Sequence, residues 1–185
     1  MFAIRNLMPS GKTHDAITII LAAPLLGVTF LMTRDPWLSV VVAVGFLFGG
    51  FMFGPDLDTA SKQYSRWKIF KLLWFPYRSF FKHRSRWSHG LVVGTLLRVI
   101  YFMGVATCVA FLWTYAYTII FTGGDLPAIW DFPRVWARLR QYSDSALGPY
   151  GLLGLFIGMW FGAASHTFTD LAGSYVKTGR VTEFL

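Results

Sequence analysis

Residues 16–58 read AITIILAAPLLGVTFLMTRDPWLSVVVAVGFLFGGFMFGPDLD. Two apolar runs, 16–32 and 37–53, are separated only by TRDP and closed by a pair of aspartates. A membrane-spanning helix needs roughly 20 mostly apolar residues, so the stretch predicts two spans joined by a tight turn. Outward from it, two more runs follow. The third, 91–121, carries Arg98, which is expected where that helix enters from water or headgroups. The fourth contains GLLGLFIGMWFGAA (151–164) and is expected to start near Gly148.

The composition agrees with lipid as the main solvent. The chain has 185 residues, 55% hydrophobic and 14% charged, whereas about a quarter of a globular chain is charged. The expected fold is all-α: a polytopic membrane protein forming a single domain over 1–185. Its four transmembrane helices are expected at about 16–33, 37–54, 91–121 and 148–167, with a basic loop at 55–90. The first run is expected to be retained, because no small-residue cleavage site closes it. Gly45/Gly49, Gly50/Gly54, Gly154/Gly158 and Gly158/Gly162 repeat the small-xxx-small spacing that lets helices approach closely. The single cysteine, Cys108, excludes an intrachain disulfide and a CxxC zinc site.

Net charge is +8, and its distribution explains it. Arg5 and Lys12 precede the first run, Lys177 and Arg180 follow the last, and loop 55–90 holds Lys62, Arg66, Lys68, Lys71, Arg78, Lys82, Arg84 and Arg86. In a four-span chain these segments share one side, which the positive-inside rule makes cytoplasmic. Residues 122–147, read as a loop on the other side, balance three arginines with Asp125, Asp131 and Asp144. The charge is therefore a topology signal, and no nucleic-acid partner is expected. Within the basic loop, YSRWKIFKLLWFPYRSFFKH (64–83) sets Trp67, Phe70, Leu73 and Trp74 at helical spacing up to Pro76. This predicts a short amphipathic interfacial helix on the anionic inner leaflet, with packing against the bundle as the alternative.

The polar chemistry gathers at the cytoplasmic ends of these runs. The four histidines fall in SGKTHD (10–15), HRSRWSHG (83–90) and SHTFTD (165–170), and GPDLD (54–58) adds two carboxylates. Each motif has a plain structural reading. Ser10 or Thr13 could cap a helix and Asp15 answer its dipole. Asp56 and Asp58 could solvate an exit, and His166 and Asp170, four apart on one helix face, could pair with each other. HRSRWSHG alone would be a basic flank. Taken together, four His and four Asp at four helix ends on one face point to a shared metal centre. The candidate ligands are His14, Asp56, Asp58, His83, His89, His166 and Asp170. A phosphate-binding loop at GKT is excluded, because the required preceding glycine is Asn6.

These four motifs, in this order over residues 10–170, resemble the YdjM-like family of membrane-bound metal-dependent hydrolases, and more closely a cyanobacterial-type branch of metal-binding membrane proteins. The matching positions are His14, Pro55–Asp56–Leu57–Asp58, His83–Arg84–Ser88–His89 and His166–Asp170. The resemblance implies a bacterial inner or thylakoid membrane and a chemistry class, metal-dependent phosphoester hydrolysis, without a substrate.

Mixed imidazole and carboxylate donors suit zinc first, with manganese or iron next, and seven or eight donors leave room for two ions. A hydrolytic site would use a metal-activated water, with Asp58 or Asp15 as the general base. Arg84, Arg86 and Lys12 would receive a substrate phosphate, such as a lipid headgroup. The rival from another class is a non-catalytic metal clasp in an assembly factor or subunit of a larger membrane complex, with protein partners. A metal transporter ranks last, because apart from Arg98 the spans carry no ionisable residue.

Overall fold

A computed structural model describes residues 11–54, 57, 61–80, 90–121 and 132–178, and among them every regular element is helical. Helix α1 (Gly11–Thr33) runs through Pro24 and turns back at Arg34, whose φ of 56° makes the sharp reversal. Asp35 then caps α2 (Pro36–Met52), accepting from the Leu38 N–H at 3.0 Å, with Pro36 in the first turn where its missing N–H costs nothing. The TRDP turn thus closes a helical hairpin. Three short pieces follow: α3 (Lys62–Arg66), a 3-10 segment (Lys68–Trp74) and α4 (Phe75–Phe80). Helix α5 (Val93–Phe121), α6 (Phe132–Leu147) and α7 (Gly151–Thr178) complete the chain.

Among the described residues, three helices are long and apolar enough to cross a membrane: α1, α5 and α7 over Gly151–Gly173. The fourth run expected to span, α2, forms a shorter apolar helix, so a count of four is not established. At 17 residues, α2 is about 25 Å long, short of a hydrocarbon core of about 30 Å. It ends where the Phe53 N–H turns back to the Gly49 carbonyl, ahead of Gly54–Pro55. The α1 surface is the opposite of a soluble helix: Ile19, Ile20, Leu31 and Met32 are all exposed.

The centre of the fold is the α2–α7 seam, and glycine makes it. A Cβ at Gly49 would overlap the Met159 carbonyl, one at Gly158 the Val42 carbonyl, and one at Gly162 the Phe46 carbonyl. Gly45 would bring a Cβ within 2.7 Å of the Leu155 oxygen. The two helices therefore touch backbone to backbone, as small-xxx-small spacing permits. The Gly50/Gly54 pair serves other partners: Gly50 receives Thr18 of α1, and Gly54 receives the Gln63 side chain of α3.

Loop 55–90 differs from the single amphipathic helix expected there. Lys68 has a φ of 46°, which breaks the helix after Trp67, and Pro76 opens α4 instead of ending a run. Trp67, Trp74 and Tyr77 are buried with Phe53 and flanked by Tyr101 and Phe102. The indoles of Trp67 and Trp74 meet edge to face at 5.1 Å. Such aromatic pairs contribute about 0.5–1.5 kcal/mol beyond area burial. One face of the segment therefore packs on the bundle, while Ile69, Phe70, Leu72, Phe75 and Phe80 remain exposed.

Two further regions take a definite form. Arg98 is fully buried, with Nε donating to the Gly94 carbonyl at 3.0 Å and Nη1 to the Phe53 carbonyl at 3.1 Å. It places positive charge on the last turn of α2, where the helix dipole is negative. Residues 132–147, read as loop, form α6, whose Arg140 and Asp144 lie 3.7 Å apart one turn along the helix.

Candidate metal centre

Helix α7 is longer than the 148–167 span expected. His166 and Asp170 therefore sit inside it, one turn apart, instead of at its end. Opposite them, α1 begins at Gly11, which puts His14 in its first turn. Two buried contacts bring the pieces together. Thr18 donates to the His14 carbonyl at 3.0 Å and lies against Gly50, so the missing Gly50 side chain lets α1 close on α2. Gly162, pressed on Phe46, does the same for α7 one turn before His166.

At the meeting point the His14 and His166 rings stack 3.9 Å apart with 7° between their planes. Asp170 bridges them: Oδ1 lies 3.0 Å from His14 Nε2, and Oδ2 lies 3.4 Å from His166 Nδ1. One donor atom from each of the three residues lies within 4.8 Å of the others. Side-chain exposure is 4%, 6% and 13% for His14, His166 and Asp170.

The donor set fits a divalent ion of borderline softness. With metal–ligand bonds of about 2.0–2.1 Å, two donors on one tetrahedral centre sit roughly 3.4 Å apart, close to the His–Asp separations here. A plain hydrogen-bonded His–Asp–His triad is the competing account. It leaves His14 Nδ1 buried with no hydrogen-bond partner among the described residues, and gives His166 Nδ1 proximity to Asp170 without hydrogen-bond geometry. Buried polar atoms are normally satisfied, and an ion between Asp170 and His166 would engage His166 Nδ1, which the triad leaves poorly accounted for; His14 Nδ1 faces away from the centre on either account.

The other site residues named from the sequence divide into two groups. Asp56, Asp58, His83, Arg84, Arg86 and His89 lie outside the described residues, although Leu57, between the two aspartates, is fully buried in the core. Asp15 and Lys12 are described, and neither sits with the donors. Asp15 is ion-paired with Arg66, whose Nη2 donates to both carboxylate oxygens at 2.9 and 2.7 Å. The carboxylate expected as a candidate general base is thus partnered by a guanidinium in this structure. Lys12 is exposed on α1.

Residues that the sequence did not single out complete the surroundings. Gln63 places its side-chain nitrogen 2.6 Å from His166 Nε2. Arg66 also donates to the Phe51 carbonyl at 2.7 Å, so it ties the start of α1 to the end of α2. Its charge was counted only toward topology, and Gln63 carried no signal in any motif.

A family model described as an uncharacterized metal-binding protein (DUF2227) matches residues 9–180. A curated protein of Aquifex aeolicus (strain VF5), described as an uncharacterized protein, is 44% identical over 59 residues, or 31% of this chain and 41% of that protein. The match thus spans less than half the length of that relative. No solved structure matches. The resemblance to YdjM-like hydrolases is overturned by the family match, whose description names metal binding and no hydrolysis.

Proposed function

The chain belongs to the uncharacterized metal-binding protein family DUF2227, and on that premise we propose that it is a membrane-embedded protein that clasps a divalent ion between α1 and α7. The observation that carries this reading is the convergence of His14 with His166 and Asp170, from opposite ends of the sequence, in a pocket where the donors are at most 13% exposed. His14, His166 and Asp170 form the centre of the donor set, and His83, His89, Asp56 and Asp58 are proposed to complete it or to hold a second ion. Two imidazoles and a carboxylate favour zinc, with manganese and iron next. The reading places the site and both termini on the cytoplasmic face. The exposed Ile69, Phe70 and Phe75 would then rest in the inner leaflet.

On this reading the ion joins helices that otherwise meet through few contacts at this end. That role suits a structural subunit or assembly factor with protein partners. Elemental analysis of the purified protein tests it: wild type should hold stoichiometric metal and His166→Ala should not. A metal-free wild type, refolded with zinc and still empty, would end the reading.

A second reading is metal-dependent hydrolysis of a phosphoester at the same site, favoured by the exposed Lys12 two residues before His14, a cation suited to a phosphate. Catalytic zinc sites keep three protein ligands and leave the fourth position open. The bound ion would supply a water nucleophile at neutral pH. Arg84, Arg86 and Lys12 would hold the phosphate, and with Asp15 engaged by Arg66, Asp58 is the remaining candidate base. Release of phosphate or headgroup from phosphoesters by zinc-loaded wild type, lost in His166→Ala, would favour hydrolysis over the clasp.

A further inference from the structure

The contact between Gln63 and His166 decides which ring nitrogen of His166 faces the ion. Gln63 Nε2 and His166 Nε2 are 2.6 Å apart, so a hydrogen bond joins the amide to that ring atom. The opposite ring atom, Nδ1, lies 3.4 Å from Asp170 Oδ2 and has no hydrogen-bond partner among the described residues. A ligating histidine binds through one nitrogen and donates its other N–H to an outer partner, which fixes the tautomer. With Nε2 turned to Gln63, His166 is left to bind through Nδ1, whereas His14 presents Nε2 to the same carboxylate.

A primary amide has a property here that no other side chain supplies at the same size. Its NH2 donates and its oxygen accepts, and the two ends are nearly isosteric. We infer that Gln63 is a positioning residue that serves both states of the centre by presenting opposite ends of its amide to His166. In the metal-free protein the amide NH2 donates to Nε2, and Nδ1 carries the hydrogen toward Asp170. In the loaded protein the amide oxygen accepts from Nε2–H, and the Nδ1 lone pair is free for the ion. The ring stays neutral throughout, and one hydrogen moves between its nitrogens by exchange with water. Helix α3 is fitted to the task. Ser61 caps it by accepting from the Tyr64 N–H at 3.2 Å, and Arg66 anchors it to Asp15 and Phe51. Gly54 lies beneath Gln63, where a Cβ would come within 2.7 Å of the amide carbon.

The inference rests on the metal-binding reading, and one experiment separates the two. Protein labelled with 15N-histidine, in detergent micelles, is followed by long-range proton–nitrogen correlation before and after zinc. His166 should show protonated Nδ1 in the metal-free state and protonated Nε2 in the loaded state. Gln63→Glu, a pure acceptor when ionised, should hold protonated Nε2 in both states and retain zinc affinity. Gln63→Leu should weaken zinc by about 10–100-fold while the metal-free protein keeps its melting temperature. Protonated Nε2 at His166 in metal-free wild type would overturn the inference and leave metal binding untouched. An unchanged affinity in Gln63→Leu would overturn it equally. A His166 spectrum that ignores zinc in every variant would overturn the metal reading itself, and the loaded half of the inference with it.

Discussion

The two halves of helix α7 are held in unlike ways. From Leu155 to Gly162 it lies on α2 with backbone against backbone, and the contacts are carbonyls against positions that have no side chain. From His166 to Asp170 it is held by single polar side chains from other elements: His14 of α1 and Gln63 of α3. The first half resists change because carbonyl positions cannot move without moving a helix. The second half is adjustable, because each contact is a rotatable group. A rigid seam that ends in an adjustable polar cluster is a sound arrangement for a metal centre. The seam sets the helix spacing, and the cluster is free to settle around an ion.

The largest expected effect comes from breaking the seam. Gly158→Val would drive branched carbons into the Val42 carbonyl, at or beyond the roughly 3 kcal/mol upper end of ordinary overpacking. The variant should lose its cooperative thermal transition in detergent and its metal together. If it melts like wild type, the backbone contact is not what joins α2 to α7.

The contrast sharpens one turn further along. His166→Ala should lose stoichiometric metal while the metal-free melting temperature falls by only a few degrees, because the ring's neighbours are polar groups and not the seam. Metal content and metal-free melting, measured side by side, separate the two halves. A collapse of the fold in His166→Ala would erase the distinction.

How much of this was legible differs between the halves for the same physical reason. Small-xxx-small spacing is a local pattern, so Gly45, Gly49, Gly158 and Gly162 declared the seam in the sequence, although Gly50 and Gly54 turned out to face α1 and α3. Of the candidate ligands named from residue type and motif, His14, His166 and Asp170 stand together in the structure. What could not be read was any contact made by one side chain across the fold. Arg98 read as an interfacial charge because its partners, the Gly94 and Phe53 carbonyls, are backbone atoms that no motif encodes. The partner of Asp15 was not visible because Arg66, 51 residues away, had been counted only as charge. Lys68 at positive φ broke a helix that the spacing of Trp67, Phe70 and Trp74 had implied.

Arg66 offers an effect of intermediate size on the adjustable side. Arg66→Gln removes the charged Nη2 contact to Asp15 and the Nη1 donor to the Phe51 carbonyl. Both partners are partly exposed, so water replaces much of the loss, and the cost should be about 1–2 kcal/mol. Zinc affinity should fall less than in Gln63→Leu, because Arg66 touches no donor atom. Titration of both variants with zinc under one set of conditions checks the order, and the reverse order would make the α1 anchor, not the tautomer, the decisive support.

The smallest expected effect is the control that gives the seam its meaning. Gly27 lies in the middle of α1 with nothing within 4 Å of where a Cβ would stand. Glycine in a helix interior is unfavourable by about 0.5–1 kcal/mol relative to alanine in water. Gly27→Ala should therefore shift the melting temperature by no more than a few degrees, upward, with metal content unchanged. The substitution Gly158→Ala adds the same single methyl group to the same residue type in a helix of similar length, and there it meets the Val42 carbonyl. If the two alanine variants behaved alike, the energetic difference would lie in glycine's flexibility and not in the close approach of α2 and α7. A stable Gly27→Ala beside an impaired Gly158→Ala isolates the approach itself as what holds the rigid half of α7.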